Sequence, residues 1–227
     1  MFITRKAIVQ SKPIVGSEIT KLQKAFFDEE LLQEYKQDGE EQLYRDMFDC
    51  VHDATAEYKT SNSIIGLDHT DINSYTTVLS NKLKELFQAI GADEVYILSH
   101  LKLDLFGNRD NQFKPLAKAY EKLEAITGQT SYKEAFHINI NQLQQFIDII
   151  FWLIRCDPAV PEYIFFFAGN EKLELFLCKY GNIHLTEIGN VQLTKEVLAA
   201  MGWQVIDGPE YDRFSNDGAI EGRQINL

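Results

Sequence analysis

Positive charge is scarce in this chain. Its 227 residues hold 22 lysines and arginines against 34 aspartates and glutamates, a formal net charge of −12. Binding to a phosphate backbone or an anionic membrane needs clustered Lys and Arg, so neither nucleic acid nor membrane is expected as a partner. A basic protein is the partner that such charge favours. Cysteine is scarce too: Cys50, Cys156 and Cys178 are odd in number, widely spaced and set in apolar surroundings. This usage predicts reduced, buried thiols and a cytoplasmic location. No apolar run reaches the length of a membrane span. The longest, Phe146 to Ile154, contains Asp148 and is bounded by Arg155 and Asp157. Met1 to Lys6 carries charges with no apolar segment behind them, so no secretory signal is expected.

Several motifs are missing. The sequence has no Gly-x-x-x-x-Gly-Lys-Ser/Thr, no Gly-x-Gly-x-x-Gly after a strand, no Gly-x-Ser-x-Gly, no His-Glu-x-x-His and no Cys-x-x-Cys. The common nucleotide, hydrolase and zinc classes therefore lose their sequence support, and neither cofactor nor metal is expected. A catalytic triad is assembled in space and needs no contiguous motif, which leaves an enzyme of another type open.

What the chain does have is a globular composition, 45% apolar and 12% aromatic. Phe2 to Val9 reads as a first strand, ended by Lys12-Pro13. Ser17 is placed to cap a helix running to about Gln37, with Ile19, Leu22, Phe26, Leu31, Leu32 and Tyr35 on its apolar side. After the Asp38-Gly39 break, a second helix is expected from Glu40 to Tyr58, then a loop or short extended piece from Asn62 to Asp68. Asp71 opens the clearest helix, with Leu79, Leu83, Leu86 and Ile90 on one face and Gly91 after its end. Glu94 to Phe106 alternates as a strand, and Phe113 to Ile126 is helical up to Gly128. Asn141 is placed to cap a helix, apolar nearly all round, that reaches Arg155.

Beyond Asp157 the period changes. Tyr163 to Phe167, Leu173 to Cys178 and Ile183 to Leu185 are extended aromatic or β-branched runs, separated by Gly169-Asn170 and by Tyr180-Gly181-Asn182. A helical segment and Trp203 to Ile206 follow. Such runs broken by Gly-Asn pairs predict antiparallel strands joined by tight turns. The expected fold is α+β: a mainly helical region, 1–156, with one or two strands, packed with an antiparallel sheet closed by a helix, 157–227, in one compact domain.

Candidate chemistry is thin. Asp68, His69 and Asp71 form the densest polar cluster, in which carboxylates could orient an imidazole base. Capping of the following helix accounts for the acids more simply, and no further metal ligands stand nearby at usable spacing. Cys50 and His52 lie two apart on an expected helix and point to different faces, which leaves Cys50 as a core thiol. His184 and Glu187 have odd separation on a strand and should face opposite ways. Cys178 and His184 are placed to meet across the Tyr180-Gly181-Asn182 turn, with no third group to orient them. Asp207 to Gly218 resembles a calcium loop in composition, but Phe214 and Asp217 occupy positions that need an oxygen ligand and a glycine, so a polar surface loop is expected.

These features point to a non-catalytic cytoplasmic protein-binding module, of the immunity or antitoxin-inhibitor type, for a basic partner. Glu34, Asp38, Glu40 and Glu41, gathered around the Asp38-Gly39 break, are the expected contact residues. The alternative is an enzyme of another kind, a hydrolase for example, with its site at Asp68, His69, Asp71 and His184.

Overall fold

Strands drawn from the whole length of the chain pair into one sheet. The computed structural model describes residues 2–190, 192–215, 217 and 219–223. Among these, the strands are β1 (Phe2–Ile3), β2 (Thr60–Gly66), β3 (Glu94–Ser99), β4 (Ala135–Asn139), β5 (Ile164–Ala168), β6 (Leu173–Leu177), β7 (Ile183–Ile188) and β8 (Gln204–Val205). Their order is β1-β4-β3-β5-β6-β7-β2-β8, antiparallel at every pairing. The helices are α1 (Arg5–Ser11), α2 (Pro13–Phe26), α3 (Glu29–Gln37), α4 (Glu41–Arg45), α5 (Ile72–Ala89), α6 (Lys114–Thr127), α7 (Leu143–Cys156) and α8 (Lys195–Ala200). The mixed α+β class is as expected. The sheet, however, is shared: β1 to β4 come from the region expected to be mainly helical.

Alternation along the strands gives the sheet two faces. Ile65, Val95, Ile97, Phe136, Phe166, Leu175 and Leu185 point to one face, where they meet α5, α6 and α7. Each such side chain contributes roughly 1.5–3 kcal/mol by leaving water. Tyr96, Leu98, Phe165 and Phe167 point to the other face and pack with Ile8, Val15 and Ile19 of α1 and α2. The near-uniform apolarity of α7 fits its place, with ten of its residues buried. The expected helix before the last strand is the short α8, which buries Leu198 beside β8. The cover of the sheet comes from the earlier helices. No helix among the described residues is long and apolar enough to cross a membrane.

The strongest local signals hold. Asp71 caps α5 by accepting from the Asn73 N–H, and Gly91 follows the helix at φ +71°. Gly128 ends α6 in the left-handed conformation that glycine adopts without strain. β5 and β6 form the expected hairpin, with Phe165 opposite Phe176 and Phe167 opposite Glu174. Its positive φ falls on Glu171 rather than on Gly169 or Asn170. Gly169 serves close approach instead, since a Cβ there would lie 3.0 Å from the Glu94 carbonyl oxygen.

Several expectations are corrected. The first strand stops at Ile3, because Thr4 caps α1 and Arg5 turns inward to Asp49 (2.8 Å) and the Ser99 carbonyl (2.6 Å). The next helix starts at Pro13, a residue suited to a first turn, so Ser17 lies inside it and accepts from the Ala56 N–H. That helix also breaks at Phe27-Asp28, where Asp28 caps α3. The helix expected over Glu40 to Tyr58 shrinks to α4. Of the two readings for Asn62 to Asp68, the extended piece is found, as most of β2, while the strand beginning at Glu94 ends at Ser99 instead of Phe106. The cap before α7 is Asn139, which with Gln142 makes a capping box around a 3₁₀ turn, rather than Asn141. β4 is a strand that the sequence reading does not anticipate.

Candidate functional site

The second face of the sheet is covered by α1 and α2 over β3 to β5. Over β6, β7 and β2 it carries two adjoining cavities of about 560 and 470 Å3. Phe176 and His184 line both, and their rings stack at 4.4 Å with planes 10° apart. The β6–β7 hairpin builds this wall by register: Phe176 lies opposite His184, and the Cys178 N–H donates to the Asn182 carbonyl at 2.9 Å. Cys178 and His184 therefore share a face, as the sequence suggests.

A third group meets them. Glu210, in the segment after β8, accepts from the Cys178 thiol at 3.2 Å and from the Asn182 amide at 2.8 Å, and its other carboxylate oxygen lies 3.1 Å from His184 Nε2. Arg213 in turn donates to Asn182 Oδ1 at 3.0 and 2.7 Å. The segment itself is strapped down. Arg155 and Asp212 form a buried two-point ion pair, at 2.8 and 3.0 Å, and Phe214 packs edge-on against Tyr75 and Phe151. The expectation of a plain polar surface loop is corrected for Glu210 to Phe214, although Tyr211 is largely exposed. Asn216 and Gly218, part of the same expected loop, lie outside the described residues.

Burial, and then the Glu210 charge, push the Cys178 thiol up to about 12. It is thus a proton donor to Glu210 near neutral pH. The order Cys–Glu–His also puts the carboxylate, not the imidazole, against the thiol. A nucleophile needs the thiolate, so this arrangement does not match an activated Cys–His pair. Cys50 and Cys156 are buried, and burial pushes their thiols up to about 11 and about 12. Cys50 is bonded to Gln23, while His52 is exposed.

The cluster at Asp68, His69 and Asp71 resolves into a helix start. Asp71 accepts from Ser74 Oγ at 2.6 Å, and hydrogen bonding by Ser74 and the Asn73 N–H holds its carboxyl below the usual range. His69 Nε2 lies 2.9 Å from the same Ser74 hydroxyl. Asp68 is exposed on another cavity wall. His184 makes its contacts elsewhere, with Glu210 and Phe176. Glu187 points to the opposite face from His184, where it caps the turn through the Gln192 and Leu193 N–H groups.

The acidic residues at the Asp38-Gly39 break sit on a helical hairpin. α3 and α4 pack on one another, with the Tyr44 hydroxyl fastened to Asp28 and Phe27 against Tyr44 and Phe48. Glu34, Asp38 and Glu40 are exposed and hold no ion pair among the described residues. Glu41 differs: Arg45 at 2.7 Å, with Lys36 at 3.8 Å, engages it and lowers its carboxyl pKa. Leu31 and Leu43 remain 40% and 56% exposed on the same hairpin.

Glu210 is the residue that sequence reading misses. It stands in a polar loop remote from the Cys178–His184 hairpin, and only the Asp212 and Arg213 anchors bring it in. In comparisons with protein-family models, curated proteins and solved structures, the chain shows no match.

Proposed function

We propose that this protein is a non-catalytic cytoplasmic binding module of the immunity or antitoxin-inhibitor type, and that its α3–α4 hairpin docks a basic protein surface. One observation carries the reading. From Asp28 to Asp49, nine acidic residues stand against only Lys36 and Arg45, and Leu31 and Leu43 are exposed among them. Charges of one sign steer a partner of the other into encounter, and apolar side chains beside them supply surface to desolvate on docking. Asp28 and Asp49 are engaged in capping and in the Arg5 pair. The steering charge therefore rests on Glu29, Glu30, Glu34, Asp38, Glu40 and Asp46, with Glu41 partly neutralised by its own neighbours.

The test is an affinity pull-down from native cell extract, read by mass spectrometry, with three baits. These are the wild type, a Glu34→Lys, Asp38→Lys, Glu40→Lys variant, and an Asp93→Lys, Asp110→Lys, Glu121→Lys control carrying the same change in net charge on exposed sites elsewhere. One stoichiometric basic partner should be held by the wild type and the control and lost by the hairpin variant. Equal loss from both variants, or no stoichiometric partner, defeats the proposal.

A further inference from the structure

We propose that Cys178, His184 and Glu210 form a binding site for a single zinc-class divalent cation, with a fourth position open to the adjoining cavity of about 560 Å3. The Cys178 sulfur, a His184 nitrogen and a Glu210 oxygen all lie within 4.8 Å of one another. A tetrahedral zinc with ordinary Zn–S, Zn–N and Zn–O bonds has ligand-to-ligand edges of about 3.3–3.7 Å. Glu210 Oε2 lies 3.2 Å from the Cys178 sulfur and Glu210 Oε1 lies 3.1 Å from His184 Nε2, so one carboxylate already stands at about that distance from both other ligands. Loading has to draw the three ligand atoms in from within 4.8 Å and turn one carboxylate oxygen to the ion, and Cys178 and His184 stand on one hairpin.

The donor set selects the metal. Thiolate and imidazole suit zinc and its borderline-soft neighbours, whereas calcium and magnesium require oxygen ligands. Charge balances as well. Loading expels the Cys178 proton to solvent, so that one thiolate and one carboxylate neutralise the dication while His184 stays neutral. The orienting groups are present before any ion arrives. Asn182, itself held by Arg213, fixes the Glu210 carboxylate, and the parallel Phe176 ring sets the plane of His184. Three ligands leave one position for water or an incoming donor, and this is where the cavity lies. The cation would also tie the strapped C-terminal segment to the β6–β7 hairpin.

A latch of polar contacts with no ion uses the same three side chains, and cobalt separates the two. The full chain, stripped with chelator, is titrated with Co2+ while absorbance is recorded. Cys178 alkylation is followed in parallel by peptide-resolved mass spectrometry. The site predicts one equivalent bound, a thiolate-to-cobalt charge-transfer band in the near ultraviolet, and protection of Cys178 from alkylation. Cys178→Ser should abolish the band, and His184→Gln should weaken binding by more than about 100-fold. No cobalt binding, binding without the charge-transfer band, or undiminished alkylation of Cys178 overturns the proposal. The alkylation arm uses the wild-type protein, so it remains decisive if a variant fails to fold, and neither arm depends on the protein partner.

Discussion

Replacing Asp212 by Asn removes one charge from a pair that water does not reach. The Arg155 and Asp212 side chains are 4% and 0% exposed, and two hydrogen bonds of 2.8 and 3.0 Å join them. An exposed ion pair contributes about 0–1 kcal/mol, but a buried charge stripped of its partner costs about 3–5 kcal/mol. Arg155 keeps some compensation, since it also donates to the Lys179 carbonyl at 2.9 Å and lies 4.9 Å from the Phe214 ring. The lower end is therefore expected, about 3 kcal/mol, which for a chain of this size lowers the Tm by roughly 6–12 °C. Urea denaturation of wild type and Asp212→Asn measures the loss. The double variant Arg155→Met, Asp212→Leu leaves no charge unpaired and should return to within about 1 kcal/mol of wild type. A loss below about 1 kcal/mol for Asp212→Asn would refute the reasoning, because the pair would then behave as a surface contact. Asp212 stands two residues after Glu210, so the same variant should also loosen the Cys178–Glu210–His184 cluster.

Glu174 is 6% exposed with one carboxylate oxygen unpartnered, and burial, reinforced by Glu18, pushes its carboxyl from 4.5 up to about 8. Between these values the folded protein holds a proton that the unfolded chain has lost, so the group's contribution is fullest below the unfolded value and is lost as pH rises through 8. Glu174→Gln should flatten the fall in stability between pH 5 and pH 8 by at most about 1.4 kcal/mol per pH unit, read from urea midpoints; an unchanged slope counts against the buried carboxyl. Thiol titration under denaturing, non-reducing conditions should find Cys50, Cys156 and Cys178 all free, and recovery of one alone would mean a disulfide. In the metal-free native protein, Cys178, which is only partly buried, should react before the other two.

The legible parts of this fold are those whose signal is local. α5 and α6 carry an apolar stripe and end at Gly91 and Gly128, and β5 to β7 are aromatic or β-branched runs between turns rich in Gly and Asn. The illegible parts are fixed by partners distant in sequence. β2 begins with the polar run Thr60-Ser61-Asn62-Ser63, which becomes a strand by pairing with Ile188 to Leu185 of β7. The segment 2–9 looks extended throughout because Ile3, Ile8 and Val9 are β-branched, while the buried Arg5 that anchors α1 depends on Asp49. The candidate site divides in the same way. Cys178 and His184 are readable across one hairpin, but Glu210 requires the Arg155–Asp212 anchor. The acidic surface is readable as composition, though its sorting into free and paired carboxylates is only partly so. The Arg45 engagement of Glu41 follows from helical spacing, whereas the Lys36 contact depends on how α3 and α4 pack.

The most direct test of the account is stopped-flow association between this protein and the partner that the pull-down retains, at low and high salt. For the Glu34→Lys, Asp38→Lys, Glu40→Lys variant, the account predicts an association rate lowered about tenfold or more at low salt. It also predicts a flattened salt dependence and a smaller change in dissociation, since exposed charges act mainly on encounter. An unchanged low-salt association rate would contradict it and leave the acidity of the α3–α4 hairpin with no part in binding.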